Sequence, residues 1–103
     1  MGQISEWFVY MLRCADNSLY TGVTTDVKRR LKEHNEDKAG AKYTRAKRPV
    51  SLVYEETAES RSAACQREYQ LKRLKKSDKE SFVRGELKVS LLNTADTAVS
   101  KGK

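Results

Sequence analysis

Two phenols, one guanidinium and one carboxylate are spaced along this chain in a way that can build a single reaction centre. Tyr10 lies in the apolar run Trp-Phe-Val-Tyr-Met-Leu-Arg-Cys of residues 7 to 14, on the same alternating face as Phe8 and Leu12. Tyr20 shares a face with Gly22 in Leu-Tyr-Thr-Gly-Val-Thr, residues 19 to 24. Glycine weakens a strand, so its presence there marks either a bulge or a close approach by another group. Both phenols then border a position with no side chain. Arg30 flanks the helical stripe Val27, Leu31, His34, where a cation serving only solubility has little reason to be. Its planar fork can grip a phosphate through two hydrogen bonds, or it can pair with Asp26 or Glu33 on its own helix. Glu68 falls in the row Ala64, Glu68, Leu71, Lys75, which reads as core-facing. A carboxylate facing a core is costly unless it is paired or bound to a metal, so a salt bridge to Arg30 and a cation site are its two readings. His34, four residues after Arg30, is a further candidate for the same pocket, although a single histidine on such a stripe is more often a satisfied boundary residue.

The elements that must position these groups follow from the pattern. Residues 7 to 14 are apolar on both alternating faces, as a central strand covered on two sides would be. Ala15 to Ser18 reads as a turn and residues 19 to 24 as the returning strand of a hairpin. Thr24, Thr25 and Asp26 are capping residue types ahead of a helix that runs to about Asn35. Glu36 to Pro49 reads as a basic loop, and Lys38, Lys42, Arg45, Lys47 and Arg48 around Tyr43 suit phosphate contacts with one aromatic for stacking. Ser51 to Thr57 is short, alternating and β-rich. Ser60 or Ser62 can cap a second helix, and Ser77 to Glu80 fits a capping box that opens a third, carrying Phe82 and Val83. The order β-β-α-β-α-α predicts an α+β fold, a three-stranded sheet with flanking helices. The expected domain is 1–85, with 86–103 a disordered tail after a last apolar contact by Leu91 and Leu92.

A chain of 103 residues supports one core and one domain. Its 21 Lys and Arg against 14 Asp and Glu leave a net charge of +7, which favours an anionic partner, nucleic acid above all. Cys14 and Cys65 stand far apart with no CxxC pair and His34 is the sole histidine, so a zinc site of the usual spacing is not expected. No apolar run approaches the ~20 residues of a membrane span and no signal-peptide layout opens the chain, which places the expected location in the cytoplasm.

Taken in order, Phe8-Val9-Tyr10, Tyr20-Thr21-Gly22, Arg30 with His34, and Glu68 resemble the GIY-YIG nuclease superfamily over about residues 7 to 83. The run of residues 19 to 24 and Gly40-Ala-Lys-Tyr-Thr44 are similar to the stand-alone bacterial members. Phe8 and Val9 replace the first two residues of the first name motif and Thr21 replaces the isoleucine of the second, which spares Tyr10, Tyr20 and Gly22. The resemblance implies a three-stranded antiparallel sheet and a metal-dependent DNA endonuclease acting in repair or processing. Glu68 would hold Mg2+ or Mn2+, Arg30 the scissile phosphate, and Tyr10 would take the proton of the attacking water directly or through its hydrogen bonds, with Tyr20 positioning and His34 assisting. For Tyr10, Arg30 and the metal held by Glu68 would lower the pKa while burial against Phe8 and Leu12 raises it, and the expectation is partial compensation with a rate that still climbs above neutral pH. A non-catalytic nucleic-acid-binding module and an RNA-directed protein are the competing readings.

Overall fold

Strand β1 spans Trp7–Arg13, β2 Leu19–Thr24 and β3 Ser51–Ala58, and they form one antiparallel sheet in the order β2-β1-β3. The computed structural model describes residues 6–36 and 42–89, with the backbone alone for Lys42 and Tyr43. The helices are α1 Val27–Glu36, α2 Lys42–Arg45, α3 Arg61–Lys72 and α4 Lys76–Val83. The predicted α+β class and its order of main elements hold; the expected basic loop also contains the single helical turn α2.

β1 is central because its apolar residues on both faces have separate layers to meet. Val9 and Met11 join Leu19, Ala64, Leu71 and Phe82 in a core under α3 and α4, while Tyr10, Leu12, Cys14 and Val50 pack with Tyr20 and Leu31 on the other face. The hairpin turn is fixed locally: the Asp16 carboxylate accepts from the Ser18 amide at 3.0 Å, and Asn17 adopts a φ of 71°, a left-handed conformation that asparagine tolerates. Asp26 caps α1 by accepting from the Arg29 amide at 3.0 Å, and Ser60 caps α3 by accepting from the Ala63 amide at 3.1 Å.

α4 departs from expectation at its start. It begins at Lys76, and Lys75 occupies the cap with no side-chain hydrogen bond. Glu80 does not close a capping box. Its carboxylate instead accepts both terminal nitrogens of Arg13 at 2.7 Å each and Lys76 Nζ at 2.6 Å, which fastens α4 to the end of β1. Two strong cationic donors outcompete one backbone amide for the same carboxylate. Beyond α4, Leu87 and Val89 pack against the larger core, and Arg67 donates to the Val89 carbonyl at 2.7 Å. Leu91, Leu92 and the rest of the expected tail lie outside the described residues, as does Lys38. No described helix is long and apolar enough to cross a membrane.

Candidate functional site

The two phenols meet where the strand pattern places them. In the β1–β2 register Tyr10 pairs with Gly22 and Leu12 with Tyr20, with no shift along the pair, so Gly22 is a point of close approach rather than a bulge. A Cβ built on Gly22 would stand 2.6 Å from the Tyr10 hydroxyl oxygen and 3.0 Å from the Tyr20 ring. Tyr10 therefore lies directly over the glycine. We expect Gly22→Ala to fold with Tyr10 displaced, because the methyl must push the buried Tyr10 hydroxyl off its partners. A crystal structure or NMR spectrum showing Tyr10 undisplaced would contradict this.

α1 brings two more groups to the same spot. His34 is fully buried, its Nε2 is 2.8 Å from the Tyr10 hydroxyl and its Nδ1 is 2.7 Å from Thr44 Oγ1 on α2. The Tyr20 ring packs edge-on against it at 5.0 Å between centroids. Burial above all, with Arg30 and Arg48 adding to it and Glu33 opposing, pulls the imidazole pKa from its ordinary 6.5 to about 4. His34 is thus a neutral ring at physiological pH. Arg30 donates to Glu33 Oε1 at 2.9 Å and also hydrogen-bonds the Tyr10 hydroxyl, so the surface pair and the site contact coexist in one guanidinium. Its neighbour Arg29 is 63% exposed and reaches Glu33 only at 3.8 Å.

At Tyr10 the expected compensation between burial and positive charge is only partial, and burial carries the balance. Burial, reinforced by Tyr20, pushes the Tyr10 phenol well above its ordinary range, and Arg30 offsets this only in part. Desolvation wins because the side chain is packed between β1, β2 and α1 with almost no exposure.

Glu68 also differs from its predicted place. The buried row of α3 is Ala64, Arg67 and Leu71, while Glu68 is half-buried and Lys75 is exposed beyond the helix. At ~100° per residue, positions 67 and 68 fall roughly 50° to either side of the line through Ala64 and Leu71. Arg67 takes the β3 side, where Glu56 accepts its Nε at 2.8 Å. Glu68 is left on the opposite shoulder of α3, the helix that packs on the Val9 and Met11 face of the sheet, and pairs with Lys72 at 3.2 Å instead of with Arg30.

The expected nucleic-acid contacts divide. Arg45 is exposed. Lys47 pairs with Asp16 at 3.0 Å, and Arg48 donates to the carbonyls of His34 and Glu33 at the end of α1, where a cation complements the helix dipole. Arg48 thus does structural work that a charge-run reading does not foresee. Thr44 was the residue missed; the only hint was its place in the Gly40-Ala-Lys-Tyr-Thr44 string.

The state of His34 has a stability consequence. Its folded pKa of about 4 lies below the unfolded value near 6.5, so the native state binds fewer protons between them. The contribution is fully present above about pH 6.5 and is lost as pH falls toward 4, a range on the order of 3 kcal/mol. His34→Gln should flatten the melting-temperature profile between pH 4 and 6.5; parallel curves for the two proteins would contradict this.

A family model described as the GIY-YIG catalytic domain matches residues 6–81. The chain is 48% identical to a UPF0213 protein of Cronobacter sakazakii over 92 residues, spanning 89% of this chain and 96% of the relative. It is 53% identical to the UPF0213 protein DP2720 of Desulfotalea psychrophila over 78 residues, 76% of this chain and 71% of that one. Two solution structures share the fold. The UPF0213 protein BH0048 from Bacillus halodurans has 43% identity and a TM-score of 0.51, covering 79% of this chain and 85% of its own. The protein EF2693 from E. faecalis has 39% identity and a TM-score of 0.55, covering 82% and 90%. With the paired tyrosines, the helical arginine and the glutamate falling inside the matched span, this chain belongs to the GIY-YIG family and, within it, to the UPF0213 proteins.

Proposed function

We propose that the protein is a metal-dependent endonuclease that hydrolyses DNA phosphodiester bonds in the cytoplasm, in DNA repair or processing. The observation that carries this reading is the convergence of Tyr10, His34 and Arg30 over Gly22: a buried phenol joined to a neutral proton acceptor and to a phosphate-binding cation. Among the described residues no three His, Cys, Asp or Glu side chains form a metal cage. A single half-exposed carboxylate is nonetheless a fitting donor for a cation that keeps several of its own waters, as Mg2+ does. Held by Glu68, Mg2+ or Mn2+ would relieve charge on the scissile phosphate and the leaving oxygen.

The remaining steps use this chain's own groups. Arg30 binds the non-bridging phosphate oxygens as negative charge builds on them. Tyr20, edge-on to His34, orients the phosphate or the water. As the water oxygen bonds to phosphorus, its proton passes to the Tyr10 oxygen while the Tyr10 proton moves to His34 Nε2. The bond from phosphorus to the leaving oxygen breaks, and that oxygen takes a proton from solvent. This relay suits a phenol whose pKa is raised, since Tyr10 need not be ionised beforehand. Lys42, Arg45 and Tyr43 are assigned to the nucleic-acid backbone and bases, with Lys47 and Arg48 contributing charge from the same stretch.

DNA and RNA of one sequence, incubated side by side with Mg2+ or Mn2+, test the assignment: DNA should be cut and RNA spared. Preferential cutting of RNA would redirect the substrate, and binding without cutting of either would leave a non-catalytic module, for which the Glu68–Lys72 pair would be the structural role of the glutamate. Arg30→Lys should cost nearly as much turnover as Arg30→Ala, because a point charge cannot reproduce a planar fork that serves Glu33, Tyr10 and phosphate together. Arg29→Lys should be tolerated, and a wild-type rate in Arg30→Lys would reduce Arg30 to general electrostatics.

A further inference from the structure

Thr44 is fully buried, and its hydroxyl oxygen forms the inner end of a chain running to His34 Nδ1 at 2.7 Å and from His34 Nε2 to the Tyr10 hydroxyl at 2.8 Å. A neutral imidazole carries one ring proton, so one nitrogen donates and the other accepts. Two arrangements fit the distances. In the first, Nδ1–H donates to Thr44 and Nε2 accepts from Tyr10. In the second, Nε2–H donates to Tyr10 and the Thr44 hydroxyl donates to Nδ1.

Acid–base matching favours the first. Burial raises this phenol and lowers this ring to about 4, which narrows the match without reversing it: a ring nitrogen remains a far stronger acceptor than a phenol oxygen, and a phenol a better donor than a neutral ring N–H. Arg30 has donors only, and it already engages the Tyr10 oxygen. Of the acceptors that face the phenol's proton, the neutral ring nitrogen is more basic than the Tyr20 hydroxyl beside it, so Nε2 is the one that takes it. At the far end, the Thr44 hydroxyl oxygen has lone pairs with which to accept Nδ1–H.

We propose that Thr44 is a positioning residue that holds His34 as its Nδ1–H tautomer and so leaves Nε2 to take the Tyr10 proton as water attacks. The catalytic half of this rests on the endonuclease reading; the hold on the ring does not. Thr44 lies between Tyr43 and Arg45, so the same short turn that is assigned to the nucleic-acid backbone also fixes the proton acceptor. Without the hydroxyl, Nδ1–H would be buried with no partner, which the ring escapes by changing tautomer or tilting.

His34 is the sole histidine, so a long-range proton–nitrogen spectrum of labelled protein reads this one ring without ambiguity. In the wild type and in Thr44→Ser, Nδ1 should carry the proton and Nε2 should be bare near neutral pH. Thr44→Val, nearly the same shape without the hydroxyl, should lose the single tautomer and show a kcat lower by about 10-fold or more, the scale of an impaired proton transfer, with KM for DNA little changed. Rescue by serine separates the hydroxyl from packing. A wild-type ring protonated at Nε2 would overturn the proposal even if the valine variant failed to fold, and so would an unchanged tautomer and kcat in a folded Thr44→Val. Wild-type protein with an Nδ1–H ring that cuts no DNA would overturn the endonuclease reading while supporting the hold of Thr44 on the ring.

Discussion

Glu68→Gln should leave the protein folded and able to bind DNA while abolishing the proposed metal-dependent cleavage. The amide keeps the size of the side chain and one carbonyl oxygen but removes the charge that a hard divalent cation requires. The competing role for Glu68 is its ion pair with Lys72, and the two roles have very different magnitudes. Lys72 is 52% exposed and Glu68 22%, so the pair is solvent-screened and belongs with those worth about 0–1 kcal/mol. Its loss should barely move the melting temperature. Loss of the metal ligand removes the charge relief on which the proposed hydrolysis depends, so the effect on rate should be total within the range of the assay. A glutamine variant that cuts normally and melts earlier would assign Glu68 to the ion pair.

Tyr10→Phe should lower the cleavage rate by on the order of 10² or more, the contribution expected of a group that moves a proton in the transition state. The ring packing survives, but His34 Nε2 and Arg30 each lose a buried partner, so the variant should also melt earlier by an amount equivalent to about 1–3 kcal/mol. The two effects separate in the pH–rate profile. Because burial holds the phenol protonated and His34 is already neutral above its pKa of about 4, the wild-type rate should level off once the pH is well above 4. A route through preformed phenolate would instead climb steadily through the alkaline range. In the phenylalanine variant the residual rate should carry neither feature. A steep alkaline climb in the wild type, lost in Tyr10→Phe, would replace the relay with a phenolate base; a native rate in Tyr10→Phe would reduce the tyrosine to packing.

How much of this was legible in the sequence depended on whether local periodicity or a distant partner decided the outcome. β1 reads as a central strand because Val9 and Met11 on one face and Tyr10 and Leu12 on the other are all apolar, and the structure gives each face its own core. The Tyr10–Gly22–Tyr20 cluster follows from the two-residue period and a short hairpin turn, and Arg30 with His34 from helical spacing. Arg67 and Glu68 could not be ranked in this way. Both flank the apolar row of α3 equally, and the choice was made by Glu56, which β3 delivers to Arg67. Glu80 was read from its neighbours in sequence as a capping residue, but its partner Arg13 is 67 positions away. Arg48 and Thr44 were hidden for the same reason: one closes the end of α1 and the other reaches its only histidine, and neither contact leaves a trace in the composition of a basic loop. The acidity of Tyr10 turned on how far burial outweighs one arginine, a balance of magnitudes that residue types alone do not supply.

The most direct test is nicking of supercoiled plasmid, which has no ends, by wild-type protein and by Tyr10→Phe and Glu68→Gln purified in parallel. With Mg2+ or Mn2+ the wild type should convert supercoiled DNA to open circles, chelation should stop the reaction, and neither variant should match it. Intact plasmid in every lane, or equal nicking by all three proteins, would contradict an endonuclease built on these residues.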